Sequence, residues 1–284
     1  MNMRIDFHTH SSVSDGTDPP AAVMRQARAA GLDVVALTDH DTVDGHPEAL
    51  LELPSGLTFV PGMELSCRLD GHSVHMLAYG LAKAAGSELA AECAAIVAAR
   101  RSRARHIVDR LRDLGVGITW AQVEALADGG VVGRPHVARA MVAAGAISRP
   151  EQAFTPEWIG AGGRAYVSRY ALDPVRAITL IAEAGGAAVL AHPGAVTRGW
   201  QLPDETIAAL AGAGLAGLEV WHPDHDQAQR SRLGALATRL DLVPTGGSDD
   251  HGSLTGHRLG SQTCPPVSYE RLVARYGHRC GPPR

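Results

Sequence analysis

The chain reads as an α/β protein on a parallel sheet or barrel, with an all-helical segment inserted near its middle. Three observations predict this. Apolar runs of strand length alternate with helix-like stretches in the first and last parts of the sequence. Between about Ser87 and Ala144 that rhythm stops, and three helices follow one another without a strand. Histidines and acids fall in short clusters that each end an apolar run. Such clusters imply a shared pocket at one end of a sheet or barrel. A length of 284 residues allows one large α/β barrel or two smaller domains.

Taken in order, Met3 to Phe7 is the first apolar run and leads into His8-Thr9-His10, with Asp15 following. Pro19-Pro20 opens a helix over Ala21–Ala30 that stops at Gly31; proline at the first turn and glycine past the end are helix punctuation. The next strand, Val34 to Leu37, ends in Thr38-Asp39-His40. Thr58 to Gly62 runs into Glu64, and Ser73-Val74 into His75. From about Ser87 to Leu114 the chain is Ala-rich and helical, and its Arg100, Arg101, Arg103 and Arg105 are expected on a solvated face. Thr119 caps a second helix, Trp120 to Ala127, and a third spans Pro135 to Ala144, closed by Gly145.

The β/α rhythm resumes after Ala165 with a helix over Pro174–Ala184 and a strand over Ala187–Ala191 ending in His192-Pro193. A helix over Asp204–Ala213 and a strand over Gly217–Trp221, ending in His222, come next. A helix near Gln227–Leu240 then precedes a strand, Leu242 to Thr245, that leads to Ser248-Asp249-Asp250-His251. The stretch after Gly260, Pro-rich at Pro265-Pro266, is expected to wrap the surface. Residues 1–85 and 165–284 are thus assigned to a barrel and 86–164 to an inserted helical cap.

Composition excludes little. A hydrophobic fraction of 45% and a charged fraction of 20% are ordinary for a globular protein. Lys+Arg of 26 against Asp+Glu of 30 gives a net charge of −4, so no overall positive field recruits nucleic acid or an anionic membrane. A small anionic substrate stays compatible, because bound divalent cations invert the local field. Cys67, Cys93, Cys264 and Cys280 are scattered without a C-x-x-C pair and read as reduced packing thiols. The first motif begins at Asp6, leaving no room for a signal peptide, and no apolar run reaches the roughly 18 residues of a membrane span. A cytoplasmic protein is expected.

His8 and His10 are two residues apart, so on an extended strand both imidazoles face the same way. Imidazole and carboxylate without thiolate is a ligand set for zinc, manganese or iron in a hydrolytic site. An isolated H-x-H is common on surfaces. Its weight here comes from Asp15, Asp39-His40, Glu64, His75, His192, Asp249 and His251, which recur in matching contexts.

In this order the motifs resemble the PHP (polymerase and histidinol phosphatase) phosphoesterases over nearly the whole chain. The resemblance rests on Asp6-Phe7-His8-Thr9-His10 with Asp15, Thr38-Asp39-His40, Pro61-Gly62-Met63-Glu64, His75, His192-Pro193 and Ser248-Asp249-Asp250-His251. It implies a distorted (β/α)7 barrel holding up to three divalent ions (manganese, zinc or ferrous iron) at the C-terminal ends of its strands. One ion would take His8, His10, Glu64 and Asp249. A second would share Glu64 and add His75 and His192. A third would take Asp15, His40 and His251, where aspartate favours manganese or iron over an all-imidazole zinc site. Ions clustered there would activate a water as hydroxide for in-line attack on a phosphate ester and neutralise its oxygens. Asp39 has two readings, orienting a neighbouring imidazole in catalysis or capping a helix.

The substrate side of the resemblance is narrower. Arg134-Pro135-His136-Val137-Ala138-Arg139 is similar to an R-x-H-x-A-R helix in a subgroup that hydrolyses nucleoside 3′,5′-bisphosphates and short 5′-phosphorylated RNA. A guanidinium beside helix-terminal amides is suited to phosphate. Gly217-Leu218-Glu219-Val220-Trp221-His222 is similar to that subgroup's strand end, where the histidine faces phosphate and is a candidate proton donor. His136 reads as a substrate contact or a packing histidine, Arg139 as a phosphate contact or a solvated residue, and Ser248 as a substrate contact or a turn former. Tyr170 and Trp200 are generic candidates for stacking a base. His46, His72, His106, His225, His257 and His278 match no ligand position and read as surface or packing residues.

The expected activity is metal-dependent hydrolysis of nucleotide phosphate monoesters, above all the 3′-phosphate of a bisphosphate. Cyclic nucleotide diester hydrolysis and histidinol-phosphate hydrolysis are alternatives on the same ligands, and a non-catalytic interaction module is a third. The expected partner is a small phosphorylated anion, nucleotide or short RNA, with no membrane and no obligate protein partner.

Overall fold

The computed structural model describes residues 3–81, 85–168, 170–195 and 201–277; Trp200, His278 and Cys280 lie outside the described residues. Seven strands form one sheet in chain order: β1 (Ile5–Asp6), β2 (Val34–Leu37), β3 (Thr58–Leu69), β4 (His72–Tyr79), β5 (Ala187–Leu190), β6 (Gly217–Trp221) and β7 (Val243–Gly246). Phe7 N–H donates to Gly246 O at 3.1 Å and Cys264 N–H to Ile5 O at 3.2 Å, so the two edges nearly meet as a distorted barrel. The strand pairs are parallel except β3/β4 and β4/β5.

Strand β2 is buried along its whole length, as a parallel strand covered on both faces must be. Val34 and Ala36 pack with Ile5, Phe7, Val60, Leu77, Tyr79 and Val189, while Val35 and Leu37 pack on Val23, Met24 and Ala27 of helix α1 (Pro20–Ala29). A short helix, α2 (His46–Leu51), precedes β3.

The antiparallel pair departs from the sequence reading. Glu64 and His75 were expected at strand ends, but β3 continues to Leu69 and turns back through Asp70-Gly71 into β4. Both turn residues have positive φ, 47° and 84°, the conformation of a two-residue hairpin. Glu64 and His75 therefore stand within neighbouring strands, with Glu64 opposite Leu77 and His75 opposite Ser66.

Between β4 and β5 lie α3 (Glu88–Asp113), α4 (Trp120–Ala127) and α5 (Arg134–Ala143). Ser87 caps α3 by accepting from Ala90 N–H, and Thr119 caps α4 by accepting from Gln122 N–H. The first half of α3 packs Leu89, Cys93 and Ile96 against Met63, Leu65 and Met76 of the sheet. Its second half joins α4, α5 and a 3-10 turn (Pro150–Phe154) around Ile107, Leu111, Val123, Val137 and Met141.

The chain then returns through α6 (Pro174–Glu183), α7 (Asp204–Gly212) and α8 (Gln227–Arg239), which pack apolar faces on the outside of the sheet. The tail corrects the sequence reading. It forms a helix, α9 (Pro266–Gly277), rather than a surface wrap. Leu272 is fully buried among Ile5, Phe7 and Val243, with Tyr269 and Tyr276 packed beside it. Positions 269, 272 and 276 share one helical face, and the proline begins that helix instead of preventing it. Among the described residues no helix is long and apolar enough to cross a membrane.

Candidate metal centre

Glu64 is the hub. Its Oε2 lies 3.4 Å from His8 Nε2, 3.2 Å from His10 Nε2 and 3.2 Å from His40 Nδ1. The other oxygen, Oε1, lies 2.7 Å from His75 Nδ1 and 3.0 Å from His192 Nε2. Asp249 closes one side, with Oδ1 at 3.3 Å from His8 Nε2 and 3.2 Å from His10 Nε2. Asp15 closes another, 3.3 Å from His251 Nε2 and 3.8 Å from His40 Nε2. All nine residues expected as ligands thus converge, although β1, β5 and β7 and the hairpin bring them from distant parts of the chain.

Among the described residues, three groups have ligand atoms within 4.8 Å of one another: His8, His10, Glu64 and Asp249; His10, Asp15, His40 and His251; and His40, Glu64 and His75. The structure places His40 at the Glu64–His75 face as well as beside Asp15, a sharing that the motif order did not suggest. His8 Nε2, His10 Nδ1 and Nε2, and His40 Nδ1 are buried without a hydrogen-bond partner among the described residues. Buried polar atoms are normally satisfied, and bare imidazole nitrogens aimed at carboxylate oxygens are what divalent cations complete. The donor set therefore fits metal.

Local electrostatics agree. Burial raises the Glu64, Asp15 and Asp249 carboxyls, but the surrounding imidazoles win and hold all three well below the usual carboxylate range. Burial likewise lowers His10, yet the Asp249 and Glu64 carboxylates beside it push it up to about 10. His40 goes the other way. Burial, then the charges of Arg100 and His10, take it down to about 3 against the pull of Glu64 and Asp15. The centre holds ionised carboxylates and competes for protons where a cation would sit.

The frame behind these ligands was only partly visible in the sequence. Glu219 on β6 is fully buried, with Oε1 3.0 Å from His8 Nδ1 and Oε2 accepting from His192 N–H at 2.7 Å. Asp41 adopts φ of 59° and accepts at Oδ1 from Ser66 N–H (2.6 Å) and at Oδ2 from Ser66 Oγ (2.8 Å) and Arg100 Nε (2.6 Å). Arg258 Nη2 donates to Asp249 O at 2.8 Å. Asp6 accepts from the N–H groups of His8, Ser248 and Gly260. Burial still raises Asp6 to about 6, against those hydrogen bonds. An acid between apolar strand residues, as in Leu218-Glu219-Val220, was the available signal for Glu219.

Comparison with known proteins follows the same residues. A PHP domain model matches residues 6–109. A 5′-3′ exoribonuclease of Haemophilus influenzae is 33% identical over 252 residues, covering 88% of this chain and 91% of its own. The chain belongs to the PHP family. It is similar also to a phosphoribosyl 1,2-cyclic phosphate 1,2-diphosphodiesterase of Eggerthella lenta, 34% identical over 87% of this chain and 94% of that one. A 3′,5′-nucleoside bisphosphate phosphatase of Chromobacterium violaceum is 31% identical over 93% of both chains. Among solved structures, one from Bifidobacterium adolescentis, named as a metal-dependent phosphoesterase, superposes with a TM-score of 0.90 at 35% identity over 96% of each chain. The protein is a PHP-family metal-dependent phosphoesterase.

Within this PHP barrel the other expected site residues take varied places. His222 is fully buried; its Nδ1 accepts from Asp224 N–H at 3.0 Å, leaving the proton on Nε2, 3.2 Å from Asp249 Oδ2. Arg134 begins α5, its guanidinium 5.3 Å from the Phe154 ring and beside Arg100, Arg103 and Gly133 around a small cavity. A Cβ on Gly133 would come 4.0 Å from Asp15 Oδ2, so the start of α5 abuts the centre. His136 is buried, and its Nδ1 accepts from Gly133 N–H at 3.0 Å, which fixes the start of α5 rather than presenting that nitrogen to a substrate. Arg139 reaches towards Leu126 O at 3.5 Å, between α5 and α4.

Asp39 Oδ2 lies beside Gly45 at the start of α2, where an added Cβ would come 3.1 Å from it. The same carboxylate accepts from Ser11 N–H, Ser11 Oγ and Ser14 Oγ at 2.6–2.8 Å, pinning the loop that carries Asp15. Ser248 is buried and its N–H donates to Asp6 Oδ1 at 2.9 Å, consistent with shaping the turn before Asp249. Arg100 corrects the expectation of a solvated arginine face. Its guanidinium is buried, because α3 lies across β3 and Asp41 and Ser66 supply its partners. Arg101 and Arg105 instead lie over the Trp120 ring, at 5.3 and 4.7 Å.

Proposed function

We propose that this phosphoesterase removes the 3′-phosphate of nucleoside 3′,5′-bisphosphates, and acts also on short 5′-phosphorylated RNA. The observation that carries this reading is the approach of Gly133, the residue just ahead of Arg134 and α5, to Asp15 at the edge of the centre. A monoester needs only the metal centre; a second phosphate gives the helix-terminal amides and Arg134 a ligand. Similarity to the bisphosphate phosphatase and the exoribonuclease supports the same substrate class.

His8, His10, Glu64 and Asp249 would hold one divalent ion, Glu64, His75 and His192 a second, and Asp15, His40 and His251 a third. Bound there, the ions would supply an activated water and neutralise phosphate oxygens. The chain's own residues do the rest. Arg134, assisted by Arg103, binds the remote phosphate, and His136 holds Gly133 so that the α5 amides face it. His222 carries Nε2–H, which can donate a hydrogen bond to the leaving 3′-oxygen and stabilise the charge that develops there. Asp39 keeps the Asp15 loop in register, and Ser248 sets the turn that presents Asp249. Residues 86–164 act as the cap that closes over the nucleotide.

Phosphate release from adenosine 3′,5′-bisphosphate by manganese-loaded protein, with AMP and histidinol phosphate run in parallel, tests this reading. Strong preference for the bisphosphate supports it; equal rates on AMP or preference for histidinol phosphate sink it. A second reading, hydrolysis of a cyclic phosphodiester on the same ligands, is favoured by the similarity to the Eggerthella lenta diphosphodiesterase and is tested by adding a cyclic nucleotide to that series.

A further inference from the structure

Glu219 is a fully buried acid at the barrel mouth that belongs to none of the three ligand groups found among the described residues. Its neighbours Leu218 and Val220 pack outwards against the cluster under α7 and α8, which turns its side chain to the inside of the barrel. There it spans two strands' ends. One oxygen meets the His8 ring from β1, and the other accepts from the backbone of His192 just past β5. His192 holds φ of 31°, a left-handed conformation that a non-glycine residue adopts only when its surroundings enforce it.

The chemistry of the two contacts is restrictive. His8 Nε2 points at Glu64 and Asp249, so a neutral His8 ready for metal carries its hydrogen on Nδ1, and a protonated ring carries one there too. The His192 amide is a donor in every state. Glu219 therefore faces two donors and must accept at both oxygens, which a carboxylate does and a carboxamide cannot. We propose that Glu219 is a positioning residue that locks the His8 tautomer and the His192 backbone together, tying the ligands of two neighbouring ions through one side chain. The inference rests on the metal reading of the centre and is independent of the substrate. Carboxylates behind ligating histidines typically govern metal affinity by roughly 10- to 100-fold.

The test uses full-length protein loaded with zinc or manganese and competed with a graded chelator. Glu219→Gln keeps size but offers one acceptor, and is expected to weaken retention of the ions on His8 and His192 by roughly 10- to 100-fold. The ion on Asp15, His40 and His251 should be held as in the wild type. Glu219→Asp, too short to span both contacts, should behave alike. Long-range nitrogen–proton NMR of the zinc-loaded wild type should show His8 protonated at Nδ1, a measurement that needs no variant to fold. Metal retention unchanged in a folded Glu219→Gln protein, or a His8 ring bare at Nδ1, would overturn the proposal. A lower melting temperature with unchanged metal affinity would do the same, since it marks a purely structural role. Wild-type protein that binds no divalent ion would remove the metal reading itself.

Discussion

Arg100 and Asp41 form a buried ion pair, Nε to Oδ2 at 2.6 Å, that joins α3 to the barrel one residue from His40. Ser66 completes it by donating to both Asp41 oxygens and accepting from Arg100 Nη2. The pair couples two parts of the chain that pack mostly around separate apolar clusters. Removing one partner leaves the other charge buried and uncompensated. Arg100→Ala should cost about 3–5 kcal/mol in urea unfolding of the metal-free protein. Arg100→Ala combined with Asp41→Asn should recover part of that loss; a double variant no better than the single one would mean the charge pairing is not the cause.

Arg134 and His10 should separate in kinetics. Losing a charge-assisted contact to phosphate costs roughly 1.5–3 kcal/mol, about 10- to 100-fold in kcat/KM. Arg134→Ala should show this as a raised KM for a bisphosphate, with metal content intact. His10→Ala should instead lower bound metal and kcat together. Equal metal loss in both variants, measured by elemental analysis, would contradict these roles.

Metal binding should release protons. The metal-free centre keeps His10 protonated up to about 10, because Asp249 and Glu64 outweigh the burial that lowers it. An incoming cation must displace that proton, so apparent affinity should rise with pH throughout the range below 10. The sign is fixed: acidification favours the proton and releases metal. Titration calorimetry in two buffers of different ionisation enthalpy measures the protons released, and a pH-independent affinity would be inconsistent with this centre. Exhaustive chelation at neutral pH should abolish hydrolysis, and manganese should restore it.

Leu272→Ala should destabilise the fold by about 2–5 kcal/mol, since the side chain is fully buried with Ile5, Phe7 and Val243 at one end of the barrel. Val267→Ala, on the exposed face of the same helix, should be close to neutral in the same melt. Similar losses in both would mean that α9 does not pack as a core helix.

Much of the architecture was legible because its signals are local. The helices beginning near Pro20, Trp120, Pro174, Asp204 and Gln227 carry caps, prolines or closing glycines that act within a few residues. The hairpin at Asp70-Gly71 had a local signal too, but expecting a parallel repeat obscured it. Helix α9 was hidden because the Pro-rich stretch at Pro265-Pro266 resembles a surface wrap, whereas Pro266 is the first residue of the helix.

Ligand chemistry was legible for a similar reason. Imidazoles and carboxylates at the ends of apolar runs have few other uses, so the residues that converge on Glu64 could be named in order. What they converge with could not. Glu219 and Asp41 become meaningful only beside His8, His192, Ser66 and Arg100, which lie up to 211 residues away along the chain.

By itself the sequence determined which groups offer donor atoms and, apart from α9 and the β3/β4 hairpin, where most strands and helices begin, because residue type and short-range periodicity set both. Only the tertiary structure decided that Glu64 stands within an antiparallel strand and that His40 faces both Glu64 and Asp15. It alone turned an arginine of a polar-looking helix inwards and left Glu219 two donors to satisfy. Hydrogen-bond partners and burial are relations between residues distant in the chain, and barrel closure is what brings them within reach.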